Sequence, residues 1–348
     1  MNNNIIRYVI GFSCVFLLSV AAGLRVFGID RDYYQYVYFY NSISHNDLSN
    51  LPNLEIGFFY IAKINALLGG SLNTFFILYA FLAISIKLFG IYKASPSPLL
   101  SFLYYLGGFY FLHEMMQIRI GLAGAFIFLS FYYLTNNDKK RFLLFTFIGL
   151  LFHYSVLMSL FMIFISGKKK AGILYLILPA SALVFSLFNS FLSNILDSIL
   201  IYFPSFIYAK VSMYIYTQEN YGANRALIIY GFGAVFIYVT MFFLWFRLRN
   251  AMLDEYYVRL NFLIKSTSLV LTISLFLSFN IELSNRFYSY LGLLCFCLLP
   301  AYVINEFKQK IIVIVILILL IVPLKQFYTS YNELLANEKD AIYNNIRY

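Results

Sequence analysis

Long apolar runs separated by short polar stretches repeat along the whole chain, from residue 5 to residue 325. Each run is about 20 residues, the length that carries a helix across a bilayer core. The pattern predicts an all-α polytopic membrane bundle with spans at residues 5–24, 72–92, 99–115, 117–135, 171–190, 225–246, 265–282, 286–304 and 311–325. Two segments do not fit a simple crossing. Residues 55–70 are short and carry Lys63, so they read as a partial or interfacial helix. Residues 142–166 lie between two basic clusters, so they enter and return, with the turn near "FHYS", Phe152–Ser155. A broken segment of that kind is tolerated only where protein or a wet cavity surrounds it.

Charge orients the map. Lys139–Arg141, Lys168–Lys170, Arg247 and Arg249 with Arg259, and Lys308 with Lys310 form the basic clusters, and cytoplasmic loops gather such residues. Placing them inside gives nine crossings, with the N-terminus inside and the C-terminus outside. The inner side then carries more than the whole formal net charge of +10, and the outer side is slightly negative. An eleven-crossing alternative exports Lys168–Lys170 and breaks the positive-inside pattern. The single membrane domain, residues 1–348, carries an outer loop at 25–71, a second large outer loop at 191–224 and an extracytoplasmic tail at 326–348. The first run lacks a small-residue cleavage site and reads as a retained helix.

Composition agrees: 62% of residues are hydrophobic and 11% charged, with a mean hydropathy of +0.78. Cys14, Cys295 and Cys297 lie within apolar runs and read as packing residues. A nucleic-acid motif, a phosphate-binding glycine loop, metal-ligand spacing and a sustained internal repeat are all missing, so the reading includes no metal, no cofactor and no nucleic-acid partner.

Four arginines remain unexplained by inner-side retention. Arg25, Arg119, Arg225 and Arg286 fall at outer ends of spans. Each guanidinium could snorkel to the headgroups, or the four could line a site for phosphate oxygens, which the planar fork suits. Snorkelling is the simpler account of one residue; four with polar companions favour a wet pocket. Glu282 and Arg286 also form an i,i+4 pair that could be a structural salt bridge. Asp30 and Asp32 follow Arg25 closely, as its ion partners or as a general base. The run "YYQYVYFY", beginning at Tyr33 and Tyr34, suits either an interfacial belt or stacking on sugar rings. His153 at the broken segment reads as a packing residue, a base or a phosphate ligand. His113 lies near the outer face, and His45 reads as solvated. With no nucleotide site, any chemistry must draw on energy in the substrate, which a polyprenyl diphosphate sugar supplies.

Five pieces in order resemble the EpsG/Wzy-like family of polysaccharide repeat-unit polymerases: "GLRVFGIDRDYYQY", "EIGFF", "MMQIRIGLAGAFIFLSFYYL", "LFHYSVLM" and "SNRFYSYL". They cover about residues 20–300. The family often reads Ile-Arg-Gln where Ile120 follows Arg119 here, which shifts a glutamine contact to Gln117. The resemblance implies a GT-C-like glycosyltransferase joining undecaprenyl-diphosphate-linked oligosaccharide units at the outer side of a bacterial cytoplasmic (inner) membrane. It implies diphosphate binding by Arg119 with Arg25 and Arg286, to which the outward position of Arg225 adds a fourth candidate, a base at Asp30 or His153, and glycan contacts from Tyr33, Tyr34, Glu55 and Gln117. Membrane lipid and a chain-length regulator protein are the partners it leaves room for. A flippase of lipid-linked oligosaccharide and an O-antigen ligase-type transferase are the competing readings.

Overall fold

The computed structural model of the chain describes residues 3–25, 32–47, 54–186, 198–199, 202, 224–279, 281–306, 328 and 332. In chain order these form α1 (Asn3–Gly23), α2 (Tyr33–Ser44), α3 (Ile56–Leu67), α4 (Leu72–Ala94), α5 (Pro98–Gly108), a π-helical turn (Phe111–Met116), α6 (Ile118–Thr135), α7 (Lys139–Leu150) and a 3-10 stretch (Tyr154–Phe164). Then come α8 (Leu174–Ser186), α9 (Asn224–Arg249), α10 (Glu255–Phe276), a short 3-10 turn (Leu277–Phe279) and α11 (Ile281–Glu306). There is no strand among the described residues. A helix satisfies its own backbone, which an apolar solvent demands. Among the described residues α4, α6 and α10 are each long and apolar enough to cross a membrane.

Local chemistry sets the boundaries. Ser71 caps α4 by accepting from Thr74 N. Pro98 opens α5, where a missing N–H costs nothing. Asp138 and Asp254 accept from Arg141 N and Tyr257 N to start α7 and α10.

The chain divides into two compact units, residues 1–160 with 310–348, and residues 161–309. In the first, α6 packs against α4 and α7, and α1 lies along α4. Its core is aromatic: Tyr33, Tyr36, Phe39, Phe58, Phe75, Phe76 and Tyr79 are all buried. Asn65 joins α2, α3 and α4 by donating to Tyr40 Oη (2.7 Å) and Ser71 O (3.0 Å) and accepting from Thr74 Oγ1. In the second unit α10 packs against α8, α9 and α11. Asn261 and Lys265, both buried, hold the 166–171 loop through its backbone: Ala171 N donates to Asn261 Oδ1 (2.8 Å), and Lys265 Nζ donates to Ser166 O (2.7 Å).

Among the described residues the expected elements recur with informative differences; the span expected at 311–325 lies outside them. Residues 55–70 hold the 12-residue α3, about 18 Å long at 1.5 Å per residue and too short to span. The 142–166 segment breaks where expected: α7 ends at Leu150, and 151–153 form a turn before the 3-10 stretch. The 99–115 run is not one helix. α5 stops at Gly108, after two consecutive glycines, and the chain re-forms as the π-turn. The helix expected at 265–282 starts ten residues earlier, at the Asp254 cap, so Lys265 lies inside it. Within the outer loop expected at 25–71 with one partial or interfacial helix, the described residues form two helices, α2 and α3. The other outer loop (191–224) and the tail (326–348) lie almost wholly outside the described residues.

Candidate functional site

Two arginines of the first unit, Arg25 and Arg119, rest on one aromatic floor. Arg25, just past α1, places its guanidinium 3.8 Å from the Phe76 ring and 5.6 Å from that of Tyr33. Arg119, in the first turn of α6, stands 5.9 Å from Tyr36 and 5.8 Å from Phe39. The Tyr36 and Phe76 rings lie 6.3 Å apart and join the two halves of the floor. Such stacking fixes the plane of a guanidinium and adds cation–π attraction.

Each arginine also has a polar anchor. Arg25 NH1 donates to Glu114 O at 3.3 Å. Arg119 NH1 donates to Glu55 Oε2 at 2.7 Å. Glu55 is the N-cap residue of α3, but its side chain caps nothing; it turns to Arg119 instead. The pair is unequal in exposure: Glu55 is 5% exposed and Arg119 20%. A side chain that stays partly open can still meet a ligand. The Tyr36 hydroxyl is near enough to both arginines for them to lower its pKa. Burial and the Asp32 carboxylate push it up more strongly, so it remains protonated and can donate.

Beneath this lies a buried polar cluster. Lys87 of α4 forms an ion pair with Glu114 of the π-turn, at 0% and 1% exposure. Tyr105 Oη donates to Glu114 Oε1 at 2.8 Å. His113 Nδ1 is 3.4 Å from Lys87 Nζ, and its Nε2 is buried without a hydrogen-bond partner among the described residues.

Gly121 allows the π-turn to lie on α6. A Cβ there would come 2.2 Å from His113 O, a backbone atom that cannot swing aside. Gly57 does the same at the 151–153 turn: its N–H donates to Leu151 O at 2.7 Å, and a Cβ would meet the Phe152 ring at 2.5 Å. This brings the His153 turn against the start of α3, next to Glu55. His153 Nδ1 accepts from Ser155 N (3.3 Å) and pairs with Ser155 Oγ (2.7 Å). An accepting Nδ1 leaves the proton of the neutral ring on Nε2.

The expected site residues therefore divide. Arg25, Arg119, Glu55 and Tyr33 meet in the first unit. Tyr33 is only 5% exposed, with its ring under Arg25 and beside Phe76; Tyr34 is 50% exposed. Gln117 is half-buried where the π-turn passes into α6. Asp30 lies outside the described residues. Arg225 and Arg286 belong to the second unit, on α9 and α11, and their side chains lie outside the described part. His113, expected near the outer face, is buried, whereas His45 is exposed. Cys14, Cys295 and Cys297 are free thiols. No group of three metal-ligating side chains occurs among the described residues. Lys87 is the member that sequence reasoning missed. Its signal was a lysine well inside a long apolar run, where an unpaired charge is costly.

No curated protein and no solved structure matches the chain. The EpsG family model matches residues 8–340. That match covers nearly all of the chain and takes in every element of the site just described, so this helical membrane protein belongs to the EpsG family.

Proposed function

We propose that this protein is a membrane glycosyltransferase that polymerises undecaprenyl-diphosphate-linked oligosaccharide units into a surface polysaccharide. Membership of the EpsG family gives the broad role, a polysaccharide polymerase-type membrane protein. The observation that carries the finer reading is the pair of guanidiniums on one aromatic floor, with Arg119 partly open. Two planar forks on one aromatic floor suit the oxygens of a diphosphate.

In this reading a hydroxyl at the non-reducing end of a new unit attacks the anomeric carbon of the growing chain. The bond from that carbon to the diphosphate oxygen breaks as the new glycosidic bond forms, and the acceptor proton passes to a base. Arg119 and Arg25 stabilise the charge that develops on the departing diphosphate. Preorganised groups of this kind supply much of an enzyme's rate. Asp30 takes the role of base. His153, with its Nδ1 occupied by Ser155, contributes Nε2–H as a donor to substrate. Tyr34 and Gln117 contact the glycan. Glu55 holds Arg119, and Tyr33 acts from beneath Arg25. The site faces the periplasm or cell exterior of a bacterial cytoplasmic membrane, with a chain-length regulator protein as an expected partner.

The test is glycan length in a deletion strain carrying Arg119→Ala, with the membrane protein level measured in parallel. The expected outcome is normal protein, no long chains, and single repeat units still on the surface. A normal ladder of chain lengths would reject the role of Arg119. Repeat units trapped on the inner leaflet would indicate a flippase, and a surface without even single units would indicate a ligase.

A further inference from the structure

The Lys87–Glu114 pair poses an energetic problem. Both groups are fully withdrawn from solvent, and removing two charges from water costs several kcal/mol each, in order of magnitude. An apolar pair of similar volume generally folds as well or better. Stability is therefore a weak account of the pair, which leaves what it holds in place.

It holds the π-turn. Glu114 is gripped from α4 by Lys87 and from α5 by Tyr105, whose ring also lies 5.2 Å from Lys87 Nζ. The backbone of the same residue accepts from Arg25, and five residues later the chain reaches Arg119. Gln117 N donates to Leu112 O (2.7 Å) and Gly121 N to Gln117 O (2.8 Å), so turn and helix run on without slack. π-Turns are rare and concentrate at functional sites. Re-winding this one as α-helix would shift the register by one residue, rotating side chains by about 100° at 3.6 residues per turn. That would carry the Glu114 carbonyl away from Arg25 and turn Arg119 off the Tyr36–Phe39 face.

We propose that Lys87 and Glu114 are positioning residues that lock the π-helical register of residues 111–116 and thereby aim Arg25 and Arg119 at the diphosphate. The side chains of the pair bond to each other and to Tyr105, and the link to Arg25 runs through the Glu114 carbonyl. Lys87 lies eleven residues along α4 from Phe76, about 16 Å at 1.5 Å per residue. The inference rests on the diphosphate reading of the two arginines.

The test replaces the pair by neutral groups of similar shape, Lys87→Met with Glu114→Gln, which keeps an acceptor for Tyr105. Purified full-length protein in lipid nanodiscs would be compared with wild type for thermal midpoint and for elongation of lipid-linked repeat units, alone and in an Arg25→Lys background. The expected result is an unchanged or higher midpoint, with kcat at least about tenfold lower. Because the pair acts through Arg25, its loss should cost much less in the Arg25→Lys background, the non-additivity of groups acting as a unit. Wild-type kcat, a loss of the same factor in both backgrounds, or failure of the double variant to accumulate would each overturn the proposal. An Arg119→Ala protein that still elongates would instead reject the diphosphate reading itself.

Discussion

Glu55→Gln should move stability and ligand binding in opposite directions. In the free protein Arg119 spends a hydrogen bond on Glu55 at 2.7 Å, the same bond a phosphate oxygen would take. Two unit charges about 4 Å apart attract by roughly 4 kcal/mol at an effective dielectric of 20. The amide forgoes that attraction, but its oxygen still accepts from the charged guanidinium, a bond worth about 1.5–3 kcal/mol. It also avoids burying a carboxylate, which offsets part of the loss. The expected net destabilisation is about 1–2 kcal/mol, between that of an exposed pair and that of a fully buried one, because Arg119 is only partly buried. At a diphosphate site the sign reverses, since the competing carboxylate is gone and Arg119 is left in want of an anion. The assay is thermal unfolding of purified protein across a methylenediphosphonate titration. Without ligand, Glu55→Gln should unfold a few degrees below wild type. With ligand its midpoint should rise more steeply, while Arg119→Ala should not respond. Equal midpoints without ligand would refute the strength assigned to the pair. Equal ligand slopes in all three proteins would refute the competition.

Two further substitutions probe the scaffold. Gly121→Ala puts a methyl 2.2 Å from His113 O; overpacking of this kind costs about 1–3 kcal/mol, so a lower thermal midpoint with shortened glycan chains is expected, and an unchanged midpoint would show that α6 and the π-turn can part freely. Asn261→Ala removes the side chain that serves the backbones of Gly167, Lys169 and Ala171. Buried backbone groups left unpaired cost about 1–3 kcal/mol each, so membrane accumulation should fall sharply, and wild-type levels would show that water replaces the amide.

The helical membrane class, the break at residues 151–153 and the partial helix before α4 were readable from the chain, because each follows from local facts. Apolar length sets whether a segment can span. Lysines between apolar runs mark where it cannot, and a run too short to cross shows itself by counting. Arg119 stood out for the same reason, as a costly charge between apolar stretches. Partners were not readable. Arg25 meets Glu114 across 89 residues, Arg119 meets Glu55 across 64, and Lys87 meets Glu114 across 27. Hydropathy reports how deep a residue lies along a span but not which way round the helix it points, and those pairings depend on the second quantity. Tyr33 and Tyr34 are adjacent and chemically identical, yet one lies under Arg25 and the other is half exposed, because α2 packs one face on the aromatic core. The sequence by itself determined that this chain is a bundle of helices carrying expensive charges. Which charge neutralises which, and the π-turn that sets their register, came only from how the helices lie against one another.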